Sequence, residues 1–236
     1  MWQDLHSQFE PAGLTVVTVA LDLDPARARP WIEAASPTHP SLVDSEHRID
    51  ELFGVNNVPM AVWIDETGTL VRPAESARLE PNEYAAIEIT DEMPEQMRRV
   101  IAGLQAAPDF GPAYRAAIGD WVERGRASRF ALSPDEVIAA SQSRPIEHSR
   151  AAACFELGRV LHERGDTDGA VRRWKEAHAL YPDNWTYKRQ AWTLASTPEG
   201  ADSDMAQEVQ DVYGTSWSEE FLAAGGGATY GIVPQL

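Results

Sequence analysis

Leu52-Phe53-Gly54-Val55-Asn56-Asn57-Val58-Pro59-Met60-Ala61-Val62-Trp63-Ile64-Asp65-Glu66-Thr67-Gly68, residues 52–68, is the stretch on which the fold turns. Gly54 closes a short helix predicted over Arg48 to Gly54, since glycine tolerates the left-handed backbone that ends helices. Met60 to Ile64 is apolar and of strand length, and Asp65 to Gly68 is a tight glycine-containing turn. Thr69 to Arg72 then returns as a second strand, so the two pair as an antiparallel hairpin. Taken alone, Val58-Pro59 reads as a plain proline opening a strand. With a hairpin directly behind it, the expectation becomes a cis X-Pro bond that forces a sharp turn.

Upstream, Trp2, Leu5 and Phe9 recur at helical spacing, and Gly13 ends that helix. Leu14 to Leu21 is a nearly continuous β-branched run. A strand apolar on both faces is expected at the centre of a parallel sheet, covered by helices on both sides. Asp24 is placed to cap the next helix, with Pro25 in its first turn and Trp31, Ile32 and Ala35 along it. Capping is preferred to metal binding for the Asp22/Asp24 pair. Downstream, Met97, Val100, Ile101 and Leu104 fall in phase on a helix near 95–104. The predicted order is a parallel βα unit, an antiparallel hairpin and a final helix.

In the loop and hairpin, residues 52–68, and in the upstream strand 15–22, the chain resembles the TlpA/ResA-type thioredoxin-like proteins. In that family an FGV..VP loop precedes a strand ending in ID..G, and the resemblance covers about residues 1–105. It implies a thioredoxin-like α/β fold in which Val58 and Pro59 position an extended substrate peptide by strand addition. It also implies a first strand and a CxxC pair at the start of the first helix, where the helix dipole favours the thiolate. Neither is present: Met1-Trp2-Gln3-Asp4-Leu5 resembles the part just after those cysteines. The expectation is therefore a chain shortened at its N-terminus, with a degenerate, redox-silent relative as the alternative. No catalytic residue is assigned.

Composition limits the partners. Lys and Arg number 20 against 37 Asp and Glu, a formal charge of −17, which works against nucleic-acid binding. The short basic cluster Arg172, Arg173 and Lys175 is read as a solvated helix face. The one cysteine, Cys154, cannot form a CxxC couple, an intramolecular disulfide or a cysteine-rich zinc site. The six histidines show no metal-binding spacing, and no phosphate loop or nucleophile elbow occurs. No cofactor and no metal are expected; the partner class is a protein or peptide, a thiol or disulfide protein for an intact relative. No segment is long enough to span a membrane, and the first residues do not form a signal peptide. The chain as written is expected in the cytoplasm, with export or membrane anchoring for a longer form.

After Ala106-Ala107-Pro108-Asp109 the strand signals stop, which divides the chain into a thioredoxin-like unit, 1–107, and an all-α unit, 108–236. Helices are predicted at about 112–124, 133–142 and 185–195, the second started by Ser133-Pro134-Asp135-Glu136. Residues 151–184 fit a tetratricopeptide repeat: Cys154, Leu157, Gly158 and Leu161, then Ala170, Trp174 and Ala177, then Pro182. Small Gly158 and Ala170 are expected to let two helices approach, with Leu161 and Trp174 filling the space between them. Cys154 is expected buried on the inner face. Trp185 and Trp192 are expected to face the core from a capping helix, in preference to a ligand surface, and Gly225-Gly226-Gly227 reads as flexible tail.

Overall fold

Strand and helix punctuation in the first hundred residues produces α1 (Trp2–Phe9), β1 (Thr18–Leu21), α2 (Pro25–Ala35), β2 (Ser41–Asp44), α3 (Arg48–Phe53), β3 (Met60–Ile64), β4 (Leu70–Ser76) and α4 (Glu95–Gln105). The computed structural model describes residues 1–141, 143–195, 207–228 and 230–236. Asp24 caps α2 by accepting the Ala26 N–H at 2.9 Å, and Asp22 Oδ1 accepts the Asp24 N–H, so this acidic pair is occupied by its own turn. Gly54 and Gly68 both take positive φ, at the end of α3 and in the β3–β4 turn.

β1 and β2 pair in parallel, Thr18 opposite Ser41 through Leu21 opposite Asp44. β3 and β4 pair antiparallel, with register shifts around Trp63. These are two separate two-stranded sheets among the described residues. The strand expected over 14–21 is regular only at 18–21, and its expected central position is not what is found. β1 has β2 on one side, and all four of its residues are only half-buried. β2 is an additional strand in a segment too short and too polar to announce itself.

The rest of the chain is helical: α5 (Gly111–Arg124), α6 (Pro134–Ala140), α7 (Ile146–Glu163), α8 (Thr167–Leu180), α9 (Trp185–Ala195), α10 (Gln207–Tyr213) and α11 (Trp217–Ala223). The protein is thus an α/β region followed by helices. Ser133 and Glu136 form a reciprocal capping box that starts α6. Helix α5, assigned from sequence to the second unit, packs into the first core. Its Tyr114, Ala117 and Ile118 join Leu5, Trp63, Val71 and Leu79, and the Trp63 indole N–H donates to the Tyr114 hydroxyl at 2.8 Å. The boundary after 107 therefore does not separate the cores.

A second core lies between α7, α8 and α9, built on Ala151, Phe155, Ala170, Trp174, Ala177, Tyr187 and Ala191. A β-carbon on Gly158 would lie 2.4 Å from the Trp174 indole nitrogen, so α7 and α8 touch where a side chain is missing. The Trp174 indole donates to the Phe155 carbonyl at 3.2 Å. Trp185 and Trp192 are buried in a third core with Trp217 and Phe221. Gly226 and Gly227 are buried as well, which corrects the reading of this stretch as a loose tail. A β-carbon on Gly227 would stand 2.5 Å from the Gly103 carbonyl oxygen, so the glycines allow close passage of the backbone over α4.

Candidate functional site

The loop between α3 and β3 brings the resemblance-derived residues to the surface. Gly54 leaves α3 with φ of 72°, and the Val55 N–H returns to the Asp50 carbonyl at 2.9 Å. The Asn56 carbonyl accepts the N–H of Trp185 at 2.7 Å, which fixes the loop against the start of α9. The Val58–Pro59 peptide bond is cis. Val58 is 44% exposed, and Pro59 is exposed beside it. The Pro59 carbonyl accepts the Ala77 N–H at 3.1 Å, just beyond the end of β4, so the loop sits at the open end of the hairpin.

Asn57 governs what this loop offers. It is buried, its Oδ1 accepts the Val58 N–H at 2.8 Å, and its Nδ2 donates to the Tyr230 carbonyl at 2.6 Å. The backbone donor next to the proline is therefore already engaged by the chain's own side chain. No sequence pattern marks Asn57, because its second partner is 173 residues away.

Behind the loop, α3 and α9 meet through buried polar groups. His47 Nδ1 and Asp50 Oδ2 are 2.7 Å apart with both side chains almost wholly buried, and the Thr186 hydroxyl donates to the same carboxylate at 3.3 Å. Glu51 accepts from the Tyr187 hydroxyl and pairs with Arg144. The His47 ring meets Phe155 edge-on at 5.1 Å and lies 6.2 Å from Tyr187. Burial resists charge on His47, but the Asp50 carboxylate, helped by Asp44 and Glu156, outweighs it and lifts the imidazole above its ordinary pKa. Burial also lifts the Glu51 carboxyl, against the pull of Arg144. Apart from His47 Nε2, which is buried with no hydrogen-bond partner among the described residues, these groups pair with one another at the junction of α3 and α9, so they read as a structural lock. The i,i+3 spacing of His47 and Asp50 at a helix start is the one sequence trace of the pair.

In the helical part, the repeat residues fall into two sets. Gly158, Ala170, Trp174 and Ala177 are buried where α7 meets α8, Leu161 is half-buried, and Pro182 is exposed in the turn before α9. Leu157 is 43% exposed and does not fill the interhelical space. Cys154 is half-buried, not fully buried as expected. Phe155 takes the inner position one residue on, because the buried face of α7 runs through Ala151, Phe155 and Gly158. The thiol is held above its usual pKa by partial burial and by neighbouring Glu176.

Arg173 and Lys175 of the basic cluster are engaged within the chain, Arg173 with Glu176 at 2.7 Å and Lys175 with the Val212 carbonyl at 3.0 Å. The aromatic and basic stretch 184–192 is buried: Lys188 pairs with Glu220 at 2.6 Å and lies 4.6 Å from the centre of the Trp185 ring. Among the described residues no cluster of three or more His, Cys, Asp or Glu is placed to hold a metal. Among the same residues, no helix is long and apolar enough to cross a membrane. The chain matches no protein-family model, no curated protein and no solved structure.

Proposed function

We propose that this chain is a thioredoxin-like protein without dithiol chemistry, related to thiol–disulfide oxidoreductases, whose Val58–Pro59 loop docks an extended polypeptide. Residues 1–107 carry the thioredoxin-like reading, and the helices of 108–236 carry a tetratricopeptide-type one. The observation that carries the proposal is the exposed Val58–Pro59 loop between a parallel β1–α2–β2 unit and an antiparallel hairpin. Such a position suits strand addition, in which main-chain groups provide affinity and side-chain pockets provide selection. The sole thiol, Cys154, lies on α7 and supplies no second cysteine for exchange. The disulfide exchange that the resemblance implies is therefore outside the chemistry of these 236 residues.

Two measurements test this. Insulin reduction by the 236-residue chain stays at the background rate; robust turnover overturns the redox-silent assignment. Titration of the 15N-labelled chain with carboxymethylated, permanently unfolded α-lactalbumin is expected to shift the amides of Val55, Asn56, Asn57, Val58 and Met60 and of Ser76 and Ala77. Shifts confined to α7 instead favour a second reading, a non-catalytic module that binds proteins through its helices. Exposed Leu157, Ile138 and Ile146 on α7 and α6 favour that reading. No shift anywhere removes both.

A further inference from the structure

Residues 230–236 run along the hairpin edge and touch the loop at Asn57. The Ser76 N–H donates to the Ile232 carbonyl at 2.8 Å, Arg72 Nη2 to the Gln235 carbonyl at 2.9 Å, and Asn57 Nδ2 to the Tyr230 carbonyl at 2.6 Å. Ile232 lies at Ser76 and Gln235 at Arg72, so the segment ascends antiparallel to β4. Its approach is close: a β-carbon on Gly231 would be 2.4 Å from Ser76 Oγ. In each of these contacts a donor of the α/β region meets a main-chain carbonyl of the tail. That is recognition of a backbone, whatever side chains it bears.

The two ends of the segment are held differently. Tyr230 is anchored: its ring packs against Trp185, Trp217 and Phe221, and its hydroxyl accepts the Trp217 indole N–H at 3.1 Å. Beyond it, Val233 and Leu236 remain about two-fifths exposed, Gln235 is exposed and Ile232 half-buried, and only Pro234 is fully buried. Pro234 has no N–H, so a continuous ladder along β4 is impossible. The result is a short irregular segment held at an aromatic anchor, by the buried Pro234 and by a few hydrogen bonds, an arrangement with few contacts for its length and so drawn from the low-stability end of a structure.

We propose that residues 230–236 are a displaceable strap that gates the docking edge at Val58. Asn57 is the coupling element, because one side-chain amide both holds the strap and covers the Val58 N–H. Release of the strap frees Asn57 to turn away. It thereby exposes two main-chain donors, those of Val58 and Ser76, to an incoming extended chain. The gating rests on the docking reading above; the strap itself does not.

The test uses full-length variants and hydrogen exchange, with Ser76 reporting the strap and Val58 reporting the loop. Asn57→Asp replaces the donor facing the Tyr230 carbonyl by an oxygen while keeping the acceptor for Val58. It is expected to speed Ser76 exchange about tenfold, the factor equivalent to one lost hydrogen bond, with Val58 unchanged. Asn57→Ala removes both contacts, so both amides are expected to speed up. Carboxymethylated α-lactalbumin is expected to bind Asn57→Ala about tenfold more tightly than the parent chain, for the same reason. A synthetic Tyr-Gly-Ile-Val-Pro-Gln-Leu peptide is expected to compete. Unchanged Ser76 exchange in Asn57→Asp overturns the strap, whatever the binding shows. Faster Ser76 exchange with equal affinity in every variant overturns the gating. Faster Ser76 exchange with no binding by any variant supports the strap and overturns the docking reading.

Discussion

The two small sheets reverse what their sequences lead one to expect. β1, Thr18-Val19-Ala20-Leu21, is as apolar as a central strand, yet it and β2 contain no fully buried residue. β4, Leu70-Val71-Arg72-Pro73-Ala74-Glu75-Ser76, carries an arginine, a proline and a glutamate, and residues 71–75 are all buried. The difference lies in what covers each strand. β4 is flanked by β3 on one side and by the C-terminal segment on the other, while the Leu132 N–H donates to the Val71 carbonyl from the chain leading into α6. Its charges are matched internally: Arg72 makes a forked pair with Glu75 at 2.6 and 2.9 Å, caps the Phe130 and Gln235 carbonyls, and stacks 5.3 Å from the Trp63 ring. Burial thus follows the supply of partners more closely than the hydrophobicity of the strand.

Removing one partner from the covered sheet is the largest test of this contrast. Arg72→Ala strands the Glu75 carboxylate and is expected to cost about 3–5 kcal/mol in urea unfolding. The double change Arg72→Met with Glu75→Leu is expected to recover most of that loss, since no charge is then left unpaired. Trp63→Phe keeps most of the packing but deprives the Tyr114 hydroxyl of its donor, an expected loss of about 1–3 kcal/mol by the same measurement. On the uncovered sheet, Val19→Ala is expected to cost about 1 kcal/mol or less, because a half-buried side chain returns only part of its transfer energy. A Val19 effect as large as that of Arg72 breaks the comparison.

The last contrast is read against pH, at the β3–β4 turn. The Thr67 hydroxyl, with the Thr69 and Thr67 N–H groups and Arg126, outweighs burial and holds the Asp65 carboxyl at a pKa of about 2, down from 3.8. A depressed carboxyl stabilises the fold fully above its unfolded value, so the contribution is present above 3.8 and lost as pH falls toward about 2. Melting temperatures taken from pH 5 to pH 2 are expected to fall more steeply for the parent chain than for Asp65→Asn. Equal slopes contradict the assignment.

Local punctuation made much of this fold readable. Gly54 and Gly68, Asp24 with Pro25, and Ser133 with Glu136 each impose a backbone state that survives any tertiary context. The α7–α8 hairpin was legible for the same reason, because Gly158 and Trp174 are complementary in shape. β2 was not, since four residues with one exposed leucine carry no periodicity. Gly225 to Gly227 misled because glycine signals both a loose loop and a close passage, and only the nearness of Gly103 decides between them. Of the candidate site, Val58–Pro59 was marked by its proline, while Asn57 and the strap depend on a contact between distant parts of the chain.

Cys154 has a practical consequence at the bench. A lone thiol whose ionisation is suppressed by partial cover and by Glu176 is expected to react slowly with other thiols, so purified material is expected to resist covalent pairing in air. The same position accepts one fluorophore per molecule once the buffer is made alkaline enough.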